Sequence, residues 1–361
     1  MSHAHVAAAR NLKSVAGPNL SKIWGDEKSQ TFHNLGPDDI LNSVEELGYK
    51  TTGRVLQLNS MENRVYEVEV DLDTPSDNPS DSFLIIKFYR PGRWNKEQIL
   101  EEHEFLFDLN ENDIDAIAPH KYQEKSLFEY KNLYYCLFPK RAGRAVDEWT
   151  EELVPIMGRM LARLHNIGAQ KKAQHRLNLD IDTFGVKNLE YILSSNYLPK
   201  EYIENYKTTC EMIFKLASPL FENISVQRVH GDCHHGNVLR RDLVPFLIDF
   251  DDMSIAPRVQ DIWMITPGRD QYSMELRDKL LDAYLEMSDF NFKELKLIES
   301  LRALRMIHFS SWIAHRFEDE SFKRAFPTYG THQYWEKEIY DLKEQIGFIQ
   351  DDVESLNQYP Y

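Results

Sequence analysis

The sequence has little cysteine, no long apolar run and an excess of acidic residues, and each of these features excludes a class of protein. The three cysteines (Cys136, Cys210 and Cys233) are odd in number and far apart, which excludes a disulfide framework and suggests a reducing compartment. No apolar run approaches the roughly 18 residues of a membrane span, and the N-terminus lacks the apolar core of a secretory signal. We therefore expect no membrane contact and a cytoplasmic location.

Basic residues are also fewer than acidic residues. Lys and Arg number 42 against 58 Asp and Glu, so the formal net charge is −16 over 361 residues. A nucleic-acid surface needs clustered Lys and Arg, so nucleic acid is not an expected partner. An anionic ligand would need local cations or a metal ion within this acidic field. The 42% of apolar residues provide material for a sizeable core.

The chain divides into three parts by pattern. Residues 1–32 read as an N-terminal extension, either a plain flexible segment or a transit peptide, because the first 25 residues contain no Asp or Glu. Residues 33–139 predict a helix over 36–48, strands from 54, 64, 83 and 133, and a helix over 93–110. The polar segment 71–82 predicts a mobile connection. Residues 140–361 are mostly helical, near 200–217, 273–287, 292–317 and 333–348, with a hairpin embedded at 237–249.

Residues 229–239, V-H-G-D-C-H-H-G-N-V-L, concentrate chemistry-bearing side chains. A zinc site is one interpretation, but Cys233, His234 and His235 are consecutive, whereas structural zinc ligands usually come in two pairs spaced two to four residues apart. A cysteine nucleophile is another, although a lone cysteine is more often an inert small hydrophobe. The third interpretation rests on the spacing of Asp232 and Asn237, which matches the H-R-D-x-x-x-x-N catalytic loop of protein kinases.

Two further elements follow in kinase order. Asp249 ends the apolar run before F-D-D, where a carboxylate would coordinate a metal that bridges phosphates. In the front half, Lys87 lies inside the strand-like run L-I-I-K, and Glu102 lies on the apolar face of the next helix. A buried carboxylate requires a partner, so we expect Lys87 and Glu102 to pair. Asp251 and Asp252 are expected to be solvated or to lie behind the metal site.

The ordered set resembles the aminoglycoside-phosphotransferase-like kinases. H-G-D-x-H-x-G-N-x-L and I-D-F-D-D carry the likeness, and N-S-M-E-N-R-V-Y, K-F-Y-R-P-G-R-W and V-Q-D-I-W-M narrow it to the stress response kinase A family. The resemblance covers residue 33 to the end. It implies an α+β, bilobal protein-kinase-like fold with a β-rich N-lobe at 33–139 and a helical C-lobe at 140–361. It further implies a monomeric, Mg²⁺- and ATP-dependent Ser/Thr protein kinase that phosphorylates protein hydroxyls, its own included.

The resemblance also implies residue roles. Asp232 would be the catalytic base, and Asn237 and Asp249 would hold Mg²⁺, with Asp249 also counted as catalytic. Lys87 and Glu102 would form the phosphate-side pair, and Ser60 would lie in the loop that covers the phosphates. The segment from Phe138 to Gly143 would form the hinge beside adenine. Asp261 would hydrogen-bond the catalytic loop, unless it is an ordinary acid at a helix N-terminus.

Two departures bear on the substrate. The loop N-S-M-E-N at 59–63 has no glycine, so its side chains are expected to contribute more to phosphate contact than in ordinary protein kinases. Only eleven residues separate Asp249 from Asp261, too few for an ordinary activation loop. A small-molecule hydroxyl kinase, which needs no peptide platform, therefore stays open as a rival. A catalytically silent nucleotide-binding module is the second rival, although the filled catalytic positions count against it.

The helical segment 300–335 is expected to choose the acceptor. It is rich in basic and aromatic residues, which at helical spacing are either core and surface positions or the lining of the acceptor site. In the second case their positive charge would suit an acidic or phosphorylated partner. The residues concerned are Arg302, Arg305, His308, Trp312, His315, Arg316, Phe317 and Tyr334.

Overall fold

The computed structural model describes residues 27–74 and 76–358. Residues 1–26 of the expected extension lie outside the described residues. Helix α1, Glu27–His33, crosses the expected boundary at residue 33, and its Phe32 is buried in the core of the N-lobe. The last residues of the presumed extension therefore pack as part of the small lobe.

The N-lobe is built on an antiparallel five-stranded sheet in the order β1-β2-β3-β5-β4. Val, Ile, Tyr and Phe at alternate positions bury one face of this sheet against α1 and α2. Asn95 and Gln98 form a reciprocal capping box that starts α3. The elements are α2 Pro37–Glu45, β1 Lys50–Leu58, β2 Arg64–Asp71, β3 Phe83–Phe88, α3 Lys96–Glu111, β4 Phe128–Tyr130 and β5 Leu133–Pro139.

The C-lobe is mainly helical and carries two small antiparallel sheets, β6-β8-β9 and β10-β7. Its first elements are β6 Arg144–Ala145, α4 Leu153–Gly168, α5 Lys187–Ser194, α6 Ile203–Phe221, β7 Gln227–Val229, β8 Val238–Arg241, β9 Val244–Leu247 and β10 Ser254–Ala256. The remaining helices are α7 Val259–Ile265, α8 Gln271–Leu285, α9 Ile298–Arg316, α10 Glu320–Ala325 and α11 His332–Gln358.

The expected bilobal α+β architecture is confirmed, with some shifts in detail. The predicted hairpin forms between β8 and β9, but β9 ends at Leu247, two residues before Asp249. The connection 71–82 contains a short 3-10 helix, Pro79–Ser82. Within the described ranges, no helix combines the length and the apolar character needed to span a membrane.

Helix α3 belongs to both lobes. Phe105, Leu106 and Leu109 on one side of it are buried in the main core of the C-lobe. Ile99, nearly two turns earlier, packs with Tyr89 and Cys136 of the N-lobe. The helix that carries Glu102 is thus fixed between the lobes by apolar contact on both sides.

Candidate active site

A cavity of about 710 Å³ separates the lobes. Among the residues singled out from the sequence, Ser60, Lys87, Glu102, Phe138, Asp232 and Asp249 line it. Asn237 lies beside the cavity, where its amide nitrogen donates to the main chain of Asp232. The fold therefore brings the N-lobe lysine and the C-lobe carboxylates, which are far apart in sequence, to one space.

Lys87 stands at the centre of a buried ion network. Its Nζ lies 3.4 Å from Glu102 Oε1, 3.5 Å from Asp249 Oδ1 and 2.9 Å from Asp251 Oδ1. Burial alone would lower the pKa of Lys87, but the neighbouring carboxylates of Asp251, Glu102 and Asp249 raise it above the ordinary value. The lysine therefore stays charged, as a phosphate-binding cation must.

Asp251 has a larger part in this network than the sequence suggested. Its side chain is 3% exposed, pairs with both Lys87 and Arg93, and accepts a hydrogen bond of 3.2 Å from Asn63. Burial would raise the pKa of Asp251, but Arg93 and Lys87 hold it well below the ordinary range. Of the two alternatives for Asp251, the solvated one is wrong, and the position behind the site agrees with its contact with Lys87, which also contacts Asp249.

The catalytic loop is shaped by Gly231 and Asp261. Gly231 has φ +86°, and a Cβ there would lie 2.1 Å from the carbonyl oxygen of Asp252, so the turn excludes every other residue. The buried carboxylate of Asp261 accepts from the backbone N–H groups of His230 and Gly231, each at 2.9 Å. His230 Nε2 lies 3.0 Å from the carbonyl oxygen of Ile248. These contacts fix the main chain immediately before Asp232.

The carboxylate of Asp232 is held at both oxygens. Asn237 Nδ2 donates to Oδ2 at 3.3 Å, and Arg305 Nη2 lies 2.8 Å from Oδ1. His234 Nδ1 accepts from the Gly236 N–H, which leaves the proton of a neutral ring on Nε2, 3.4 Å from Oδ2. Burial would raise the pKa of Asp232, but His234 and Arg305 hold it well below its ordinary value. The group is thus an ionised proton acceptor throughout the physiological range.

Asn237 and Asp249 lie at the open end of the β8–β9 hairpin, one just before β8 and the other just after β9. The backbone N–H of Ile248 donates to the carbonyl oxygen of Asn237 at 3.1 Å, which extends the pairing of β8 and β9 by one step. The side chain of Asp249 is 53% exposed. The backbone of this residue is left-handed, with φ 58°, a conformation that is uncommon outside glycine and concentrated at functional sites. Because the Asn237 amide nitrogen is engaged with Asp232, the side-chain oxygen of Asn237 is the atom that remains to serve as a ligand. An amide and a carboxylate oxygen fit a Mg²⁺ ion that also binds phosphate oxygens.

The three consecutive side chains of the zinc interpretation point to different environments. Cys233 is fully buried in the C-lobe core, and burial raises the pKa of its thiol well above the ordinary value, which disfavours the thiolate that both zinc binding and nucleophilic attack require. His234 is turned to Asp232 and Gly236, whereas His235 is exposed. No cluster of three or more His, Cys, Asp or Glu side chains suited to a metal occurs in the described part of the chain.

Comparison with known proteins agrees with this geometry. The model of the phosphotransferase enzyme family (APH) matches residues 55–298, more than half of the chain. The chain belongs to the phosphotransferase enzyme family. The resemblance noted in the sequence is confirmed by stress response kinase A of Escherichia coli K12, which is 32% identical over 323 residues, covering 89% of this chain and 95% of that protein.

Two other comparisons extend the relationship. The serine/threonine protein kinase RdoA of Salmonella typhimurium is 29% identical over 328 residues, covering 90% of this phosphotransferase and 97% of that protein. A solved structure of the amicoumacin kinase hAmiN in complex with AMP-PNP, Ca²⁺ and Ami has a TM-score of 0.68 at 19% identity, covering 89% of this chain and 95% of that one. At that identity the structural likeness establishes the fold alone.

The glycine-free loop of this phosphotransferase is anchored by its side chains. Glu62 Oε2 accepts from Trp312 Nε1 at 2.7 Å, and Glu62 Oε1 accepts from Arg316 Nε at 3.0 Å, both on α9. Asn63 Oδ1 accepts from the backbone N–H of Arg90 at 3.1 Å. The loop is therefore tied across the cavity to the C-lobe, and Ser60, which lines the cavity, is carried by this anchored segment.

Glu62 belongs to a group of charged residues between the lobes that we call the interlobe cluster. Arg90 Nε and Arg93 Nη1 lie 3.3 and 3.6 Å from its carboxylate. Burial would raise the pKa of Glu62, but Arg93, Arg316 and Arg90 lower it below the ordinary value. Sequence patterns did not indicate this cluster. Its members are Glu62, Arg90, Arg93, Asp251, Arg316 and Asp319.

Helix α3 is also anchored by polar contacts to the C-lobe. Arg176 is fully buried, and its Nη2 lies 3.0 Å from Glu102 Oε2 while Nη1 donates to the carbonyl oxygen of Asp251 at 2.9 Å. Glu101 accepts from three successive backbone N–H groups of residues 174–176. Glu102 is thereby aimed at Lys87, and the pair expected from the sequence is formed.

The two ends of the expected hinge, Phe138 and Gly143, lie in different surroundings. Phe138 lines the cavity. Gly143 lies outside the cavity lining, and a Cβ at this position would lie 2.5 Å from Cζ of Phe246. Its requirement for glycine therefore comes from packing against the β8–β9 hairpin, which argues against a direct contact with adenine.

Proposed function

We propose that this phosphotransferase is a Mg-ATP-dependent Ser/Thr protein kinase of the stress response kinase A type. The observation that carries the proposal is the convergence of Asp232, Lys87 and Asp249 on one cavity between the lobes. An ionised base, a buried phosphate-binding cation and an exposed metal-binding carboxylate are the parts that phosphoryl transfer requires.

The nucleotide is proposed to bind on the N-lobe side. Phe138 would contact adenine, and the anchored loop with Ser60 would cover the phosphates. Lys87, held by Glu102 and Asp251, would balance charge on the α- and β-phosphates. The amicoumacin kinase, solved with AMP-PNP and Ca²⁺, supports nucleotide and divalent-metal binding by this fold.

Asn237 and Asp249 would hold Mg²⁺ together with the phosphates, because two protein ligands are too few for a tight independent site. The ion would supply neutralisation of the charge that develops on the phosphate oxygens. The chain's own part would be to hold these two oxygens beside the base, and the pairing of β8 with β9 supports this role.

Asp232 would act as the proton acceptor. As the acceptor oxygen forms its bond to the γ-phosphorus, the bond from that phosphorus to the β–γ bridging oxygen breaks and the hydroxyl proton passes to Asp232. Asn237 holds one carboxylate oxygen in place during this step. Asp261 fixes the loop main chain from behind, so the base is already oriented before the acceptor arrives.

The protein acceptor is supported by the relative named as a serine/threonine protein kinase. A small-molecule hydroxyl acceptor is the second candidate, and two observations favour it. The segment between Asp249 and Asp261 forms a 3-10 turn, the short strand β10 and the start of α7, which leaves no activation loop as a peptide platform. Solved neighbours include choline kinase and amicoumacin kinase. A monomeric state and a cytoplasmic location remain predictions from the sequence.

The test is incubation of the purified chain with labelled Mg-ATP, alone, with a generic protein and with a panel of hydroxyl metabolites. Phosphoserine or phosphothreonine on the enzyme or the generic protein, identified by mass spectrometry, is the expected result. We expect no transfer to aminoglycosides or choline. Efficient turnover of a metabolite without any phosphoprotein would assign the chain to the small-molecule kinases.

A further inference from the structure

Arg305 occupies the acceptor side of the catalytic base. It projects from α9 into the cavity, and its Nη2 lies 2.8 Å from Oδ1 of Asp232. That carboxylate oxygen is shielded from solvent, whereas the Arg305 side chain is 43% exposed. A molecule in the cavity that reaches the carboxylate of Asp232 therefore has an exposed guanidinium group close by.

The guanidinium group of Arg305 retains unused donors. An arginine carries five N–H donors in a planar fork. Besides the Asp232 contact, Nη1 makes only a weak 3.9 Å contact with the sulfur of Met264 among the described residues. The remaining N–H groups are available to a bound molecule without breaking the contact that Nη2 makes with the base.

Two other cations of the cavity lining, apart from Lys140 and Arg141 on the hinge side, are already neutralised. Lys87 is surrounded by three carboxylates, and Arg93 lies between Glu62, Asp251 and Asp252. Both of these side chains are at most 10% exposed. Arg305 differs because it has one carboxylate partner and substantial exposure, so it can present positive charge to an acceptor.

The other α9 residues that line the cavity carry no competing charge. His308, one turn away, lines the same cavity, and burial lowers its pKa to about 3, so the ring is neutral at physiological pH. Leu301, Phe309 and Trp312 complete this wall with apolar surface. A cationic acceptor would need a carboxylate free of protein cations here, but Asp232 is paired with Arg305 and Asp252 with Arg93.

We propose that Arg305 is a specificity-determining residue that binds an anionic group next to the acceptor hydroxyl. The inference rests on the proposed kinase function and narrows its acceptor to a Ser or Thr flanked by acidic side chains. A guanidinium group and a carboxylate form two parallel hydrogen bonds, so the contact orients the acceptor as well as attracting it. The same contact would hold the hydroxyl next to the carboxylate of Asp232.

The test compares matched serine peptides that differ only by Glu or Gln on both sides of the serine, with kcat/KM measured for each. For the wild-type enzyme we expect about a tenfold preference for the acidic peptide, the scale of one hydrogen bond to a charged group. In Arg305→Met the ratio should fall to about one, and in Arg305→Lys part of it should return. The ratio is informative even if both peptides react more slowly.

Arg324→Met serves as the matched control, because Arg324 is an exposed arginine of α10 outside the cavity lining. Its ratio should equal that of the wild type. A wild-type enzyme without acidic preference, or a preference that survives in Arg305→Met, would overturn the proposal. If metabolites are phosphorylated and peptides are not, the proposed protein-kinase function is wrong. Arg305 is then tested by the ratio of kcat/KM for hydroxy acids to kcat/KM for their amides. Turnover of neither set would overturn both ideas.

Discussion

The catalytic segment, residues 229–249, and the interlobe cluster use charged side chains in opposite ways. In the catalytic segment Asp249 is 53% exposed and Asp232 faces the cavity, so these groups are available to a substrate. In the interlobe cluster Glu62, Arg90 and Arg316 are 11%, 4% and 6% exposed and are paired with one another. The first region keeps carboxylates accessible to a ligand, and the second joins the two lobes through buried ion pairs.

The difference also has an energetic meaning. Exposed carboxylates cost little to maintain, because solvent or a ligand compensates their charge. Buried charges are expensive unless each is paired, and removal of one partner leaves the others uncompensated. Substitutions in the catalytic segment should therefore reduce rate without unfolding the protein, whereas substitutions in the interlobe cluster should reduce stability first.

The largest expected effect is that of Asp232→Asn. Loss of a positioned base reduces the transfer rate by about 10² to 10⁴, while the fold stays intact because Asn237 and the loop main chain retain their contacts. Initial rates with the accepted substrate, together with circular dichroism, measure both quantities. A rate within about threefold of wild type, well below that range, would remove Asp232 from the role of base.

Next in size is Asp249→Ala. Removal of the exposed carboxylate should lower the rate by on the order of 10²-fold, because the metal contributes several kcal/mol of charge stabilisation in the transition state. Calorimetric titration should show weaker Mg-ATP binding, and wild-type protein should bind MgCl₂ alone only weakly. Asp278→Ala, an exposed acid of α8, is the control. Tight Mg²⁺ binding without nucleotide, or unchanged Mg-ATP affinity in Asp249→Ala, would contradict the assignment.

The contrast between the two regions also explains how far the sequence can be read. Asp232, Asn237 and Asp249 are separated by five and twelve residues, and a turn and a hairpin bring them together, so local spacing was enough to predict the group. The pairing of Lys87 with Glu102 was also predictable, because an apolar helix face with one carboxylate demands a cation. The fold class followed from the order of these elements and from the family resemblance.

The interlobe cluster could not be found in this way. Glu62 contacts Arg316 across 254 positions, and Arg93 contacts Asp251 across 158. The local sequence around these charged residues does not predict that they are buried. Burial there depends on how the lobes pack, which is a tertiary property. Asp251 was consequently undervalued, and Gly143 was expected at the hinge although its neighbours are side chains of the hairpin.

The interlobe cluster itself is tested by Glu62→Gln. The substitution keeps shape and an acceptor for Trp312, but it leaves three arginines near one another without their shared carboxylate. We expect a loss of about 3 kcal/mol in the free energy of unfolding, the scale for removal of one partner of a buried ion pair. Urea denaturation at pH 8 measures it.

The matched control for Glu62→Gln is Glu69→Gln on β2, whose carboxylate lies 3.9 Å from the exposed Arg54. Its effect should stay below about 1 kcal/mol. Equal losses in the two variants would show that the interlobe cluster contributes no more than a surface pair. Full activity of the folded fraction of Glu62→Gln would agree with a role in holding the lobes rather than in the transfer step.

A second glutamate, on the far side of α9, lacks this cationic environment. Glu338 of α11 accepts a 2.8 Å hydrogen bond from Ser310, which also lies 2.8 Å from the hydroxyl of Tyr334. Burial raises the pKa of Glu338 to about 7. Two glutamates that contact the same helix thus have pKa values shifted in opposite directions, because Glu62 has arginine partners and Glu338 has neutral ones.

The smallest expected effect on the free energy of unfolding is that of Glu338→Gln, and its sign is opposite to that of Glu62→Gln. A raised folded-state pKa stabilises the protein fully below the ordinary glutamate pKa, and this contribution disappears as pH rises towards about 7. The glutamine variant cannot ionise, so it should match wild type near pH 4.5 and exceed it by about 1 to 2 kcal/mol at pH 8. Glu62→Gln should show the opposite sign at pH 8. Urea denaturation of both variants across pH 4.5 to 8 gives the comparison, and a Glu338→Gln difference that does not change with pH would show that this carboxyl is not held protonated by its surroundings.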